Sequence, residues 1–277
     1  MKIEFWGCRG SIPVPDSRMI KVGGNTPCVE VTAGGRTLII DAGTGIRKLG
    51  EKLVASGILD FDVFITHSHW DHIHGFPFFT PIYLKEAKID ILGYTNSIKQ
   101  LKNMMSQQMS YEFFPVNFAD LKSKIKFVET TKYHMKHGHY ALKMIATNHP
   151  IFTTALRIEE GGKAFVFITD NEIRQENPFT KREEFVEFCK DADYLVHDAQ
   201  FTEKEYETRK GWGHSTYDDA VALALDARVK NLGFFHHDPN RKDTELEDIL
   251  ATYVSAAKIK NLPLNIFVAK EKESITL

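Results

Sequence analysis

A layered α/β protein, with helices packed outside two sheets, is what this 277-residue sequence predicts. Two observations lead there. Short apolar runs with strand character alternate with segments of helical spacing in both halves of the chain. Several of those runs also end in histidine or aspartate, so that in a stack of sheets these residues would share one edge. With no internal repeat or low-complexity linker, one domain spanning 1–277 is expected.

In order, residues 2–6 read as a strand, followed by the loop Gly7-Cys8-Arg9-Gly10-Ser11-Ile12-Pro13. Residues 28–32 and 36–41 form a hairpin across Gly34-Gly35. The glycines from Asp41 to Gly45 lack a phosphate-loop spacing and read as tight turns around a site. A helix at 46–56 precedes a buried strand at 62–66, and another strand is expected at 88–94. From about 95 to 138 an excursion begins with a helix at 98–107. Its Met104, Met105 and Met109 read mainly as packing, although a lid over the site is the alternative. Strands at 124–129, 141–147, 153–158 and 164–169 follow, the last pair joined across Gly161-Gly162. Helices at 181–190, 217–227 and 244–258 alternate with strands at 194–198, 231–235 and 264–268. Ser215 or Thr216 is the expected cap of the second helix.

The stretch 66–75 carries the chemistry. Four of the twelve histidines, His67, His69, His72 and His74, fall there together with Asp71, directly after a buried strand. Imidazole and carboxylate are the usual nitrogen and oxygen ligands of zinc and similar divalent ions. In extended chain His67 and His69 point the same way, and the following turn lets Asp71 and His72 serve a second ion. His149 sits at a strand end before Pro150, Asp170 leaves an apolar strand, and His214 and His236 lie in later strand-end loops.

Composition narrows the class. With 35 Lys+Arg against 37 Asp+Glu the net charge is −2, so no global footprint for nucleic acid exists. The three cysteines show no paired spacing, which suits a reducing compartment. The start does not read as a signal peptide, and no apolar run reaches membrane-span length. A cytoplasmic protein with no membrane partner is expected.

The motif His67-Ser68-His69-Trp70-Asp71-His72 resembles the HxHxDH signature of the metallo-β-lactamase superfamily. The resemblance extends over nearly the whole chain, including Asp41-Ala42-Gly43, His149, Asp170 and a late strand-end histidine. It implies a four-layer αββα sandwich, an α/β (α+β) fold of the metallo-β-lactamase type. It further implies two divalent metal ions, zinc foremost with manganese or iron as alternatives. His67, His69 and His149 would hold one, Asp71, His72 and His236 the other, with Asp170 bridging. His237 is the alternative to His236, and His74 reads as supporting or structural.

His197-Asp198-Ala199-Gln200 and Gly213-His214-Ser215-Thr216 resemble motifs of the tRNase Z and phosphodiesterase branch. The implied activity is cleavage of a small, cyclic or linear, phosphodiester by a metal-bridging hydroxide. Asp71, His214 and Asp198 are the candidate catalytic residues, and the Asp198–His214 pair is one methylene shorter than its glutamate counterpart. Hydrolysis of a carboxylic ester, thioester or lactam at the same metals is the alternative, as is a non-catalytic metal-binding module. The short hairpin between His149 and Asp170 and the net charge argue against tRNA as substrate. The Met- and Phe-rich stretch 104–114 could instead pair two subunits in a homodimer.

Overall fold

The computed structural model describes the backbone of residues 1–130, 134–137 and 140–277, and their side chains except those of 94–97 and 134–137. The first sheet contains β1 (Lys2–Gly7), β2 (Cys28–Ala33), β3 (Arg36–Ile40), β4 (Asp60–Phe64), β5 (Lys88–Tyr94) and β6 (Lys124–Thr130), side by side in chain order. β1 to β3 pair antiparallel and β3 to β6 parallel. The second sheet repeats the plan with β7 (His134–His137), β8 (Tyr140–Ala146), β9 (Thr154–Glu160), β10 (Lys163–Ile168), β11 (Tyr194–Asp198), β12 (Asn231–Phe235) and β13 (Asn265–Val268). Here β7 to β10 run antiparallel and β10 to β13 parallel. A last short strand, β14 (Ser274–Thr276), returns to pair with β1.

Strand alternation sorts the side chains into three apolar layers. Along β10, Phe165 and Phe167 point towards the first sheet, whereas Ala164, Val166 and Ile168 point to the opposite face. Phe165 and Phe167 join Phe5, Val29, Leu38, Ile40 and Phe64 between the sheets, and Phe167 meets Phe235 edge-on at 5.0 Å. Truncating either ring to alanine would cost roughly 3–5 kcal/mol.

The first sheet's outer face packs against α1 (Ile46–Ala55), two short 3-10 turns at Phe76–Phe78 and Thr80–Tyr83, and α3 (Thr95–Gln108). The four-residue α2 (Trp70–Ile73) opens the loop beneath. The second sheet's outer face is covered by α4 (Arg182–Cys189), α6 (Tyr217–Asp226) and α7 (Asp243–Ile259), while α5 (Glu203–Tyr206) is a single turn. Helix, sheet, sheet and helix therefore stack as the expected four layers. Thr216, not Ser215, caps α6 by accepting from the Asp219 N–H, with Asp219 reciprocating as in a capping box.

Within the expected excursion, Met105 and Met109 are wholly buried in the outer core of the first sheet, and β6 is a member of that sheet. Its far end, at 131–133 and 138, lies outside the described residues. Among the described residues, no helix is long and apolar enough to cross a membrane.

Candidate metal centre

The strand ends of both sheets meet at one edge. From the first sheet, β3 delivers Asp41, and the turn after β4 delivers His67, His69, Asp71 and His72. From the second, β8, β10, β11 and β12 lead to His149, Asp170, Asp198 and His236. The loop before α6 adds His214.

Three overlapping groups of potential ligand atoms result, the atoms within each group lying within 4.8 Å of one another. They are His67, His69, His149 and Asp170; Asp71, His72 and His236; and Asp170, His214 and His236. An open cavity of about 380 Å³, lined by Ser11, His69, Trp70, Asp71, Asp170, His214 and His236, leads to them.

The outward nitrogen of each of five rings is held in place. His67 Nδ1 lies 3.1 Å from the Thr66 hydroxyl, which itself donates to Asp41. His72 Nδ1 donates to the Asp41 carboxylate at 2.8 Å, and His149 Nδ1 donates to the Gly213 carbonyl at 3.0 Å. His214 Nδ1 donates to Asp198 at 2.7 Å, and His236 Nδ1 to the Gln200 side-chain carbonyl at 3.0 Å.

Fixing Nδ1 aims Nε2 inward. Among the described residues the buried Nε2 atoms of His67 and His72 have no hydrogen-bond partner, although the His72 atom lies 3.2 Å from Asp170 and 3.3 Å from Asp71. His236 Nε2 stands 3.2 Å from Asp71 and 3.4 Å from Asp170, and His149 Nε2 is 3.0 Å from His69 Nδ1. Buried ring nitrogens left unsatisfied around two carboxylates are a costly arrangement that a divalent cation would relieve. The donor set of imidazole and carboxylate also suits such an ion.

Electrostatics agree. Burial pushes His67 and His69 down, and His149 to about 4, which keeps these rings neutral as metal ligation requires. Burial also acts on Asp71 and Asp170, yet His72 beside the first and His236, His72 and His67 around the second hold both carboxyls far below their ordinary range. The same carboxylates outweigh desolvation at the other rings, raising His72 and lifting His236 to about 9.

Backbone shape is part of the design. Asp41, Asp170 and His236 occupy the left-handed region, with φ of 64°, 50° and 57°. For a side chain with a Cβ this costs about 1 kcal/mol or more, and such strain concentrates at functional sites. Two glycines make room: a Cβ on Gly10 would sit 2.5 Å from the His236 ring, and one on Gly213, where φ is +86°, 2.2 Å from His149 Nδ1.

The structure therefore brings all the sequence-expected residues, His67, His69, Asp71, His72, His149, Asp170, Asp198, His214 and His236, to one place. His237 points elsewhere, donating from Nε2 to the Ala269 carbonyl at 2.9 Å. His74 lies outside the three groups, its Nδ1 on the Trp70 carbonyl at 2.5 Å. Sequence reasoning missed Asp41, Thr66 and Gln200 as ring-orienting partners, and Glu172. The buried Glu172 carboxylate accepts from the Gly211 and Gly213 N–H groups at 2.9 Å and from the Tyr206 hydroxyl at 2.8 Å.

The family model described as a beta-lactamase superfamily domain matches residues 36–237, nearly three quarters of the chain. The chain belongs to that superfamily. Ribonuclease Z of Picrophilus torridus is 24% identical across 88% of each chain. Among solved structures, the metallo-beta-lactamase fold protein YhfI from Bacillus subtilis superposes with a TM-score of 0.71 at 20% identity, covering 99% of this chain and 98% of that one. Human tRNase Z, short form, gives 0.65 at 18% identity over 100% and 99%. The superfamily match makes this chain a metal-dependent hydrolase that uses divalent ions, and the solved structures share its fold.

The expectation that tRNA is an unlikely partner is overturned: relatives matched along nearly their whole length carry the names ribonuclease Z and tRNase Z. The hairpin spacing and the net charge were weak grounds. A whole-chain charge of −2 is a sum that says nothing of a local basic surface.

Proposed function

We propose that this chain is a binuclear metallohydrolase of phosphodiesters, built within a single domain spanning 1–277. His67, His69 and His149 would hold one ion, Asp71, His72 and His236 the second, and Asp170 would sit between them, with zinc the first choice and manganese or iron able to use the same donors. The observation that carries this reading is the set of five histidines whose outer nitrogens are each fixed while their inner ones surround two ionised carboxylates.

When bound, divalent ions supply Lewis acidity, offsetting charge on phosphoryl oxygens and making water ionise near neutral pH. The protein's own groups do the rest. Thr66, Asp41, Gly213 and Gln200 hold the ligand rings so that little reorganisation accompanies the reaction. With Nδ1 tied to Asp198, His214 keeps Nε2 as the nitrogen that can meet substrate. As an imidazolium whose charge Asp198 stabilises, it would donate its Nε2 proton from the cavity wall to a phosphoryl oxygen or to the departing alkoxide.

The ribonuclease Z relatives make RNA one substrate class, and small cyclic or linear nucleotide diesters are the other. The test is turnover after stripping and reloading with Zn²⁺ or Mn²⁺. The panel is bis(p-nitrophenyl) phosphate, 2′,3′- and 3′,5′-cyclic nucleotides and a 3′-extended tRNA precursor, with nitrocefin and a thioester for contrast. Metal-dependent cleavage of any diester, lost in His214→Ala, is expected. Cleavage of only the nitrocefin or thioester, or silence with both ions bound, overturns the reading.

A further inference from the structure

Two exposed tryptophans are chain neighbours of residues of the centre, and one of them lines its cavity. Trp70 is 82% exposed although it lines the cavity, between His69 and Asp71 in the chain. Trp212 is 60% exposed and lies next to Gly213, whose carbonyl receives the His149 Nδ1–H at 3.0 Å. His149 in turn contacts His69 at 3.0 Å, so the indoles neighbour the two ends of one contact chain, His69–His149–Gly213.

Neither exposure comes from a loose segment. Trp70 opens α2. The loop around Trp212 is held by Glu172 through the amides on both sides, Gly211 and Gly213, and by the Trp212 N–H donating to the Arg209 carbonyl at 3.2 Å. Among the described residues neither indole enters a ring–ring or cation–π contact or donates from Nε1. The fold thus keeps two large aromatic faces in solvent, forgoing their burial, one on the wall of the cavity and one in the loop that orients His149.

Resting on the phosphodiester reading, we propose that Trp70 and Trp212 form a stacking subsite for the nucleobase attached to the scissile phosphate. An indole presents a flat π surface that any base can cover, which gives affinity with little sequence preference. With the phosphate at the carboxylate–histidine cluster, an attached nucleoside would extend over the cavity wall at Trp70, towards the loop that carries Trp212.

Two measurements test it. Adenosine 5′-monophosphate and ribose 5-phosphate are titrated against metal-loaded protein while indole emission is followed. Only the base-bearing ligand should quench, and Trp70→Phe and Trp212→Phe should each remove part of the signal; equal quenching by both ligands, or none, overturns the subsite. Second, kcat/KM for thymidine 5′-(p-nitrophenyl phosphate) is divided by that for methyl p-nitrophenyl phosphate. This ratio should fall about tenfold in Trp70→Ala and recover in Trp70→Phe. An unmoved ratio overturns the proposal.

Should wild-type protein cleave neither diester, the wider panel above decides the phosphodiesterase reading while the quenching decides the stacking. A short oligoadenylate distinguishes sources. Binding about tenfold tighter than the mononucleotide assigns the subsite to an RNA end, and equal binding to a free nucleotide; either supports it.

Discussion

His214 Nδ1 lies 2.7 Å from the carboxylate of Asp198, the last residue of β11, and both side chains are buried. The shorter acid reaches its histidine because β11 ends in the floor of the site. The other Asp198 oxygen accepts the Gln200 N–H at 3.2 Å, so the carboxylate cannot swing away. Asp198→Asn should preserve the shape but offer an amide to Nδ1 in one of its two orientations. We expect kcat to fall about 10- to 100-fold with metal content unchanged, read by steady-state kinetics beside elemental analysis. Equal loss of metal and activity would assign Asp198 a role in ion retention instead.

Asp41 does for His72 what Asp198 does for His214, with the carboxylate 2.8 Å from Nδ1. Burial raises the Asp41 carboxyl while His72 and Thr66 counteract it. Asp41→Asn should weaken metal binding about 10- to 100-fold, measured by competition with a chromogenic chelator. An unchanged affinity would mean that ring orientation here needs only packing.

Glu172 closes the loop from Tyr206 to Gly213 by accepting three hydrogen bonds in the interior. In Glu172→Gln one amide hydrogen would face a backbone N–H. The expected cost is about 2 kcal/mol, visible in chemical denaturation, together with a reduced kcat because Gly213 orients His149. Wild-type stability in this variant would contradict the reading.

Metal loading should release protons. Before binding, His236 titrates near 9 and His72 is also raised, so at pH 7.5 the rings hold protons that ligation must expel. Calorimetry of Zn²⁺ binding in buffers of different ionisation enthalpy should give release of between one and two protons per protein at that pH. The release should diminish as pH rises through about 9. Zero release at pH 7.5 would mean that both rings are neutral beforehand.

The neighbouring His237 has the opposite linkage. Burial depresses it from 6.5 to about 3, so below pH 6.5 the unfolded chain takes up a proton that the folded one refuses. Its contribution to stability is therefore complete above 6.5 and declines as pH falls towards 3, by up to roughly 1.4 kcal/mol per unit. His237→Gln should flatten the acid side of the stability curve measured by urea denaturation. A curve parallel to wild type between pH 6.5 and 4 would show that other groups dominate.

Much of the centre is legible in the sequence because its first half is local: His67, His69, Asp71 and His72 lie in one turn after one strand. The order of strands and helices, and so the four layers, follows from apolar periodicity. Choosing between His236 and His237 needs the register of β12, which sequence leaves open by one residue. The structure settles which ring faces Asp71 and Asp170. Asp41, Thr66 and Gln200 lie within motifs that the sequence displays, but their hold on the rings, like that of Glu172 on its loop, acts through contacts fixed by folding. The single-turn helices α2 and α5 and the three-residue β14 are too short for a periodic signal.

The two seven-stranded sheets follow the same plan, and the centre lies on the seam between them. The first sheet and its loops carry His67, His69, Asp71 and His72; His149, Asp170, His214 and His236 come from the second. A chain in which only β1 to β6 have formed presents those three imidazoles and one carboxylate without the four donors that the second sheet brings. Docking of the second sheet completes the set of candidate ligands, so the centre exists only where the two sheets have met.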